Sequence, residues 1–195
     1  TRNVLRLLEL VGRSDIPVAC GYDTPYRRQR RDTGVLVHGT DGFAGVNLPE
    51  PVTTPMSSDA PEFLAQVISA SNEPITLVTL GPLTNVAHML DRYPDAIPDR
   101  TVMMGGAARL GNVTPVAEFN VWHDPEAAAR VFESGFNPVM VGLDATHSVK
   151  TYESDFEGVG AAIEAVLAPM VRFYTDFYAS VHGERMSHQH DAIAM

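Results

Sequence analysis

The sequence predicts an α/β protein with a mostly parallel open sheet and helices on both faces. Three short apolar runs, residues 75–80, 101–104 and 138–143, carry this prediction. Each run is too short for a buried helix and ends in a turn that contains glycine or an acidic residue, which is typical of strands. Helical patterns separate the runs, and this alternation favours parallel strands joined by crossover helices. An earlier apolar stretch, residues 16–20, is expected to form a further short strand.

Helical patterns precede, separate and follow these runs. They cover residues 2–11, 58–69, 83–90, 125–133 and 161–181. Ser58 is the expected N-cap of the second of these helices. Asp124 is the expected N-cap of the fourth, with Pro125 at its first position and Gly135 as its stop. The last pattern is long, and its apolar and aromatic side chains recur at helical spacing, so most of them are expected in the core.

Composition limits the classes of partner. The chain has 195 residues, of which 45% are hydrophobic, and a formal net charge of −10. The negative charge argues against nucleic acid or an anionic membrane surface as the main partner. The single cysteine excludes an intrachain disulfide and suits a reducing compartment. No apolar run approaches the roughly 20 residues that span a bilayer, and no secretory signal pattern opens the sequence, so a cytoplasmic location is expected.

The region from residue 22 to residue 55 is irregular and includes the basic run 27–31. We interpret that run as a solvated loop, because no glycine-rich segment frames it as a phosphate site. Both ends of the sequence fall inside apolar patterns. We therefore expect residues 1–195 to form a single α/β domain within a longer protein.

The polar loop after the second strand carries the clearest chemical signal. Asn112 and Asn120 can each donate and accept hydrogen bonds, whereas an ionised Glu118 only accepts. A ribose with vicinal hydroxyl groups needs that mixture, and ligands of open parallel sheets bind where the strands end. The alternative is that these side chains cap the turn, and the residues by themselves leave both interpretations open.

Three further segments are candidates for the same edge of the sheet. Leu80 ends a strand at a tight Gly-Pro turn and can offer its carbonyl group there, although a strand–helix turn with no further role is the more common explanation of such a segment. His38 stands before a flexible turn and can reach over a pocket, although a lone histidine is more often structural. His190 and Asp191 form a candidate acid–base pair, a hard-cation site or a surface turn. His147 is interpreted as structural. The signatures of serine hydrolases, P-loop NTPases and dinucleotide enzymes are absent from the sequence.

Taken together and in this order, these segments resemble the inosine/uridine-preferring nucleoside hydrolases. The matching segments are residues 3–8 (NVLRLL), 16–18 (IPV), Gly21, 38–42 (HGTDG), 80–87 (LGPLTNVA), 104–106 (MGG), 111–112 (GN), 118–120 (EFN), 124–128 (DPEAA), 142–146 (GLDAT) and 190–191 (HD). The resemblance covers essentially the whole chain. It implies a Rossmann-like fold and an enzyme that hydrolyses the N-glycosidic bond of ribonucleosides to ribose and free base.

The resemblance also implies roles for particular residues. It makes Ca²⁺ the cofactor, with Asp191 and the backbone carbonyl of Leu80 as two of its ligands. The ribose-binding residues implied are Asn112, Glu118, Phe119 and Asn120. His190 matches the histidine near the leaving base, and His38 matches a second histidine at the mouth of the pocket. A nucleoside is the implied small-molecule substrate, and a homodimer or homotetramer is the implied assembly.

Two departures from the family pattern bear on these expectations. The family's amino-terminal Asp-rich motif, which would supply the general base and most calcium ligands, is absent, and Ala192 stands where a proline is expected. Since Ca²⁺ takes 6–8 oxygen ligands, residues 1–195 are expected neither to hold the metal nor to turn over by themselves. The alternative hypothesis is a non-catalytic nucleoside- or ribose-binding protein with the same fold.

Overall fold

The computed structural model describes residues 1–29 and 34–195, so Arg30 and Arg31 of the basic run lie outside the described residues. The helices of the described residues are α1 (Arg2–Leu10), α2 (Val35–His38), α3 (Ala60–Ala70), α4 (Thr84–Arg92), α5 (Phe119–His123), α6 (Pro125–Phe132), α7 (Leu143–Thr146), α8 (Ala161–His182) and α9 (Asp191–Ala194). The strands are β1 (Thr76–Thr79), β2 (Arg100–Met104), β3 (Val139–Val141), β4 (Lys150–Thr151) and β5 (Ser187–His188), and a 3-10 helix covers Glu153–Phe156.

These elements fall into two compact units. The first unit contains residues 1–18, 34–56 and 150–188, and the second contains residues 19–29, 57–149 and 189–195. All three longer strands belong to the second unit, as do α3 to α7 and α9.

The second unit is built on a parallel three-stranded sheet in the order β1–β2–β3. Successive residues of β2 face opposite sides because strand side chains alternate. Met103 packs into the buried cluster formed mainly by α3, α4 and α6. Val102 and Met104 pack on the other side with Leu143 of α7 and Ala194 of α9. The predicted parallel sheet with helices on both faces is therefore confirmed.

Helix starts in this unit follow capping chemistry. Asp124 accepts from Ala127 N–H at 3.2 Å and is followed by Pro125, as predicted for α6. The predicted cap of α3 at Ser58 is wrong, because Asp59 one residue later accepts from Glu62 N–H at 2.9 Å. A carboxylate there also meets the positive end of the helix dipole.

The predicted strand at residues 16–20 does not form as a strand. Cys20 makes one isolated parallel bridge with Asp59, and Val18 accepts a backbone hydrogen bond from Met56. Pro17 has no N–H to give to a ladder, which is a physical reason for the interruption.

The first unit is organised around α8, close to the predicted range of residues 161–181. Val166 of α8 packs with Phe43 and Leu48 in a buried cluster. The helix ends at Gly183, whose φ of 76° places it in the left-handed conformation that glycine favours at such ends. Beside it, β4 and β5 pair in antiparallel orientation. No helix in the described part of the chain is long and apolar enough to cross a bilayer.

Candidate active site

The carboxyl ends of β1, β2 and β3 lie at one edge of the sheet because the strands are parallel. Gly106 follows β2 with a φ of 77°, a conformation that glycine adopts without steric cost. Gly142 follows β3, and a Cβ atom at this position would lie 2.8 Å from the Gly106 carbonyl oxygen. The two glycines let these turns approach closely, and Leu143 N–H donates to the Gly106 carbonyl at 3.0 Å.

Asn120 links the ends of two strands. Its Nδ2 donates to the Met104 carbonyl oxygen at 3.0 Å and lies 3.5 Å from the Leu80 carbonyl oxygen. The first contact ties α5 to the end of β2, and the second places the Leu80 carbonyl beside the same amide group. The structure thus brings together two of the residues that the sequence singled out, 40 positions apart.

Glu118 is a buried carboxylate, with 3% of the residue exposed. Its Oε2 accepts from Gly106 N–H at 2.8 Å and from Val121 N–H at 3.2 Å. Its Oε1 accepts from Asn120 N–H at 2.9 Å. Glu118 is therefore the N-cap of α5 and also an anchor for the turn after β2. Because each carboxylate oxygen has two acceptor sites, this role does not exhaust what the side chain can accept.

The remaining predicted sugar-contact residues lie beside Glu118. Asn112 Oδ1 accepts from Phe119 N–H at 2.9 Å, which fixes the polar loop against the start of α5. The Phe119 ring lies 5.5 Å from the His123 ring between centroids. This segment is predicted as a loop, but residues 119–123 form the short helix α5. The signal was an acidic residue before a short run with no apolar repeat, which is too weak to predict a five-residue helix.

His190 and Asp191 stand at the start of α9 in the same unit. His190 Nδ1 lies 2.8 Å from Thr146 Oγ1, and the His147 ring lies 5.7 Å from the His190 ring. Farther along α9, Ala194 packs with Met104 at the end of β2. The short helix therefore lies against the strand whose carbonyl group Asn120 contacts. No local sequence pattern indicates the contact of Thr146 with His190, because the two residues are 44 positions apart.

His38 lies in the first unit, at the end of α2. Its ring stacks on the Tyr174 ring with centroids 5.7 Å apart. The turn that follows is held by Asp41, whose Oδ1 accepts from Phe43 N–H at 2.9 Å and Gly45 N–H at 3.2 Å. These two backbone donors hold the pKa of Asp41 below its ordinary value, since they stabilise the charged carboxylate.

A cation site is not complete among these residues. In residues 1–29 and 34–195, no three His, Cys, Asp or Glu side chains gather in a group that could hold a metal ion. The Asp191 carboxylate and the Leu80 carbonyl are hard oxygen donors of the kind that Ca²⁺ prefers, but two donors fall short of the 6–8 it takes. The described residues therefore do not fit a bound Ca²⁺ by themselves.

A parallel sheet with amide, carboxylate and imidazole groups near its carboxyl edge is the architecture of α/β proteins that bind small ligands in a strand-end crevice. The sequence profile of the inosine-uridine preferring nucleoside hydrolases matches residues 1–195. The chain belongs to this family.

Curated relatives agree with this assignment. Over 182 residues the chain is 44% identical to the pyrimidine-specific ribonucleoside hydrolase RihA of Salmonella agona (strain SL483). It is 43% identical to the protein of the same name from Escherichia coli O1:K1 / APEC. Each alignment covers 91% of this chain and 58% of the relative, so the chain spans little more than half the length of these relatives.

Solved structures of nucleoside hydrolases have the same fold. The plant nucleoside hydrolase PpNRh1 is 33% identical with a TM-score of 0.87, over 98% of this chain and 62% of that one. The purine-preferring ribonucleoside hydrolase from Gardnerella vaginalis is 26% identical with a TM-score of 0.91, over 99% of this chain and 64% of that one. These likenesses confirm the α/β fold predicted from the sequence.

Proposed function

We propose that the protein hydrolyses the N-glycosidic bond of ribonucleosides to ribose and free base. The observation that carries the proposal is the convergence of Leu80, Glu118 and Asn120 at the carboxyl edge of the sheet. Family membership supports the reaction class. The names of the curated relatives support pyrimidine ribonucleosides as the preferred substrates.

The proposed reaction breaks the bond between C1′ of ribose and the base nitrogen, and the electron pair leaves with the base. The oxygen of a water molecule bonds to C1′ and loses one proton, and the base or the solvent takes up a proton. As the base departs, the ribosyl group gains positive charge. Carboxylate and carbonyl oxygens near the sugar stabilise that charge, and this is the role we give to Glu118.

The side chains divide this work between the sugar and the base. Asn112, Phe119 and Asn120 hold the ribose together with Glu118, the Asn side chains acting through their amide groups. His190 protonates or orients the departing base, a contribution of roughly 10²–10⁴-fold in rate for a positioned acid. A contact between His38 and the nucleoside stays a prediction from the family resemblance.

We further propose that Ca²⁺ is the cofactor, with Asp191 and the Leu80 carbonyl among its ligands. The support is the match of donor chemistry, since Ca²⁺ binds carboxylate and carbonyl oxygens. The site needs additional oxygen donors beyond these two. A cytoplasmic location and a homodimeric or homotetrameric assembly complete the proposal.

Ribose release by the full-length protein tests the activity. Uridine, cytidine and inosine are supplied with Ca²⁺, and reducing sugar is measured over time. We expect ribose release, and we expect it to be faster from uridine and cytidine than from inosine. Binding without release would support the non-catalytic alternative, and neither binding nor release would reject a nucleoside site altogether.

Asn120→Ala tests the site residues. We expect the variant to have a lower kcat/KM for uridine, equivalent to a loss of about 1–3 kcal/mol of transition-state stabilisation. The reason is that a buried partner loses its hydrogen bond. The matched control is Asn72→Ala, an exposed residue before the amino end of β1 and hence at the opposite edge of the sheet. Equal activity of both variants would remove Asn120 from the site.

A further inference from the structure

Thr146 contacts the ring of His190 directly. It is the last residue of α7, which begins directly after the turn that follows β3, and it is 0% exposed. Its Oγ1 lies 2.8 Å from Nδ1 of His190. Its backbone N–H donates to the Gly142 carbonyl at 3.1 Å, so the residue that holds the ring is itself fixed to the end of the strand.

The hydroxyl proton of Thr146 decides the direction of this hydrogen bond. A fully buried hydroxyl cannot give its proton to bulk water, and leaving a buried donor unpaired is unfavourable. Within residues 1–29 and 34–195, the structure pairs this hydroxyl with Nδ1 of His190, which can accept its proton. The hydroxyl of nearby Ser148 instead donates to the backbone carbonyl of Ala145 at 2.6 Å. The geometry therefore favours donation from Thr146 to Nδ1.

An accepting Nδ1 fixes the tautomer of the neutral ring. A neutral imidazole carries one proton, and when Nδ1 accepts, that proton is on Nε2. The contact also restrains rotation of the ring, because the hydroxyl belongs to a short helix attached to the sheet. The His147 ring, tilted by 60° at 5.7 Å between centroids, packs against the same imidazole.

We propose that Thr146 is a positioning residue that holds His190 as an Nε2–H donor toward the departing base. The inference rests on the proposed function, in which His190 acts on the base. It adds the residue that sets the tautomer and the atom that meets the base. Nδ1 faces Thr146, so the base receives its hydrogen bond from Nε2–H, which stabilises the negative charge that builds on the base as the bond breaks.

The first test is spectroscopic and needs no turnover. Full-length protein labelled with ¹⁵N-histidine is studied at about pH 8, above the ordinary histidine pKa of roughly 6.5. His190 is assigned from the spectrum of His190→Asn. We expect Nδ1 of the wild-type ring to have the shift of an unprotonated nitrogen and Nε2 that of a protonated one. Thr146→Val, which keeps the shape but loses the hydroxyl, should move both shifts toward a mixture of tautomers.

Two variants control this experiment. Thr146→Ser keeps the hydroxyl and should restore the wild-type shifts. Thr101→Val makes the same chemical change at a 1% exposed strand residue whose Oγ1 has no hydrogen-bond partner among the residues that the structure describes, so it should leave His190 unchanged. A protonated Nδ1 in the wild type, or identical His190 shifts in wild type and Thr146→Val, would overturn the inference.

Kinetics form the second test. For uridine, Thr146→Val should lower kcat on the order of tenfold to a hundredfold with little change in KM, which is part of the roughly 10²–10⁴-fold that a positioned acid supplies. A riboside with a p-nitrophenolate leaving group needs little help in departing and should lose much less. Equal losses on both substrates would overturn the positioning role. A wild-type protein that releases no ribose would reject the proposed function, whereas the ring shifts would still decide the Thr146 contact.

Discussion

Replacing Glu118 by glutamine removes one acceptor oxygen from a buried carboxylate that three backbone amides share. The amides belong to Gly106, Asn120 and Val121, at 2.8, 2.9 and 3.2 Å. They come from the turn after β2 and from the first turn of α5. The substitution keeps the size of the side chain, so its effect reports on hydrogen bonding and charge rather than on a cavity.

The geometry sets the expected magnitude. The glutamine oxygen can take the place of Oε2 and keep the hydrogen bonds from the amides of Gly106 and Val121. The glutamine NH₂ group then faces the amide of Asn120 and cannot accept a hydrogen bond from it. The opposite orientation loses two hydrogen bonds instead of one and is worse. The Asn120 amide is partly buried, and leaving it without an acceptor costs about 1–3 kcal/mol, which is the expected loss in the free energy of unfolding.

Urea unfolding of the full-length protein measures this loss. For a slope of about 2–3 kcal/mol/M, the midpoint should fall by roughly 0.3–1.5 M with the slope unchanged. The control is Glu133→Gln at the exposed end of α6, expected within about 0.5 kcal/mol of wild type. If Glu118→Gln unfolds at the same midpoint as this control, the carboxylate does not hold the three amides, and the reasoning is refuted.

Two further predictions concern carboxylates that act as helix caps. Asp124 is 0% exposed and accepts from Tyr26 N–H at 2.7 Å and Thr84 Oγ1–H at 2.5 Å. Asp124→Asn should therefore lower the free energy of unfolding by about 1–3 kcal/mol in the same urea assay. An unchanged midpoint would contradict this prediction. The Glu62 N–H is the main group that holds the pKa of Asp59 below its ordinary value, and the Arg92 guanidinium adds to the effect. The Asp59 carboxylate therefore stabilises the fold above its unfolded pKa, and this stabilisation is lost as the pH falls below about 4. Asn still caps the helix, so the stability of wild type relative to Asp59→Asn should be greatest near neutral pH and vanish in acid; a difference independent of pH would show that the charge plays no part.

Local patterns predicted most of the fold. The three apolar runs became β1, β2 and β3, because a strand is set by a short stretch of apolar side chains between turns. The start of α6 at Asp124 and Pro125 was also predictable from neighbouring residues, because the cap accepts a hydrogen bond from an amide only three residues away. The cap of α3 was misplaced by one residue, from Ser58 to Asp59, because both residue types suit that position.

Neighbouring residues also made the polar loop a candidate site, yet left two interpretations of Glu118 open. Its side chain could contact a sugar or cap a turn, and the choice depends on which amides approach it. The structure gives Glu118 the capping contacts and adds the amide of Gly106, 12 residues earlier, as a third donor. Its contact with a sugar stays a prediction, to be tested through the proposed activity.

The sequence by itself determined the three strands of the parallel sheet, the approximate ranges of α1, α3, α4, α6 and α8, and the set of polar residues near strand ends. These features depend on side chains within about one turn of each other. Only the tertiary structure decided which of those groups meet. Asn120 reaches the Leu80 carbonyl from 40 residues away, and Thr146 reaches His190 from 44 residues away. Such contacts form because parallel strands bring the turns that follow them to one edge of the sheet. A pattern of neighbouring residues does not show which distant residues meet there.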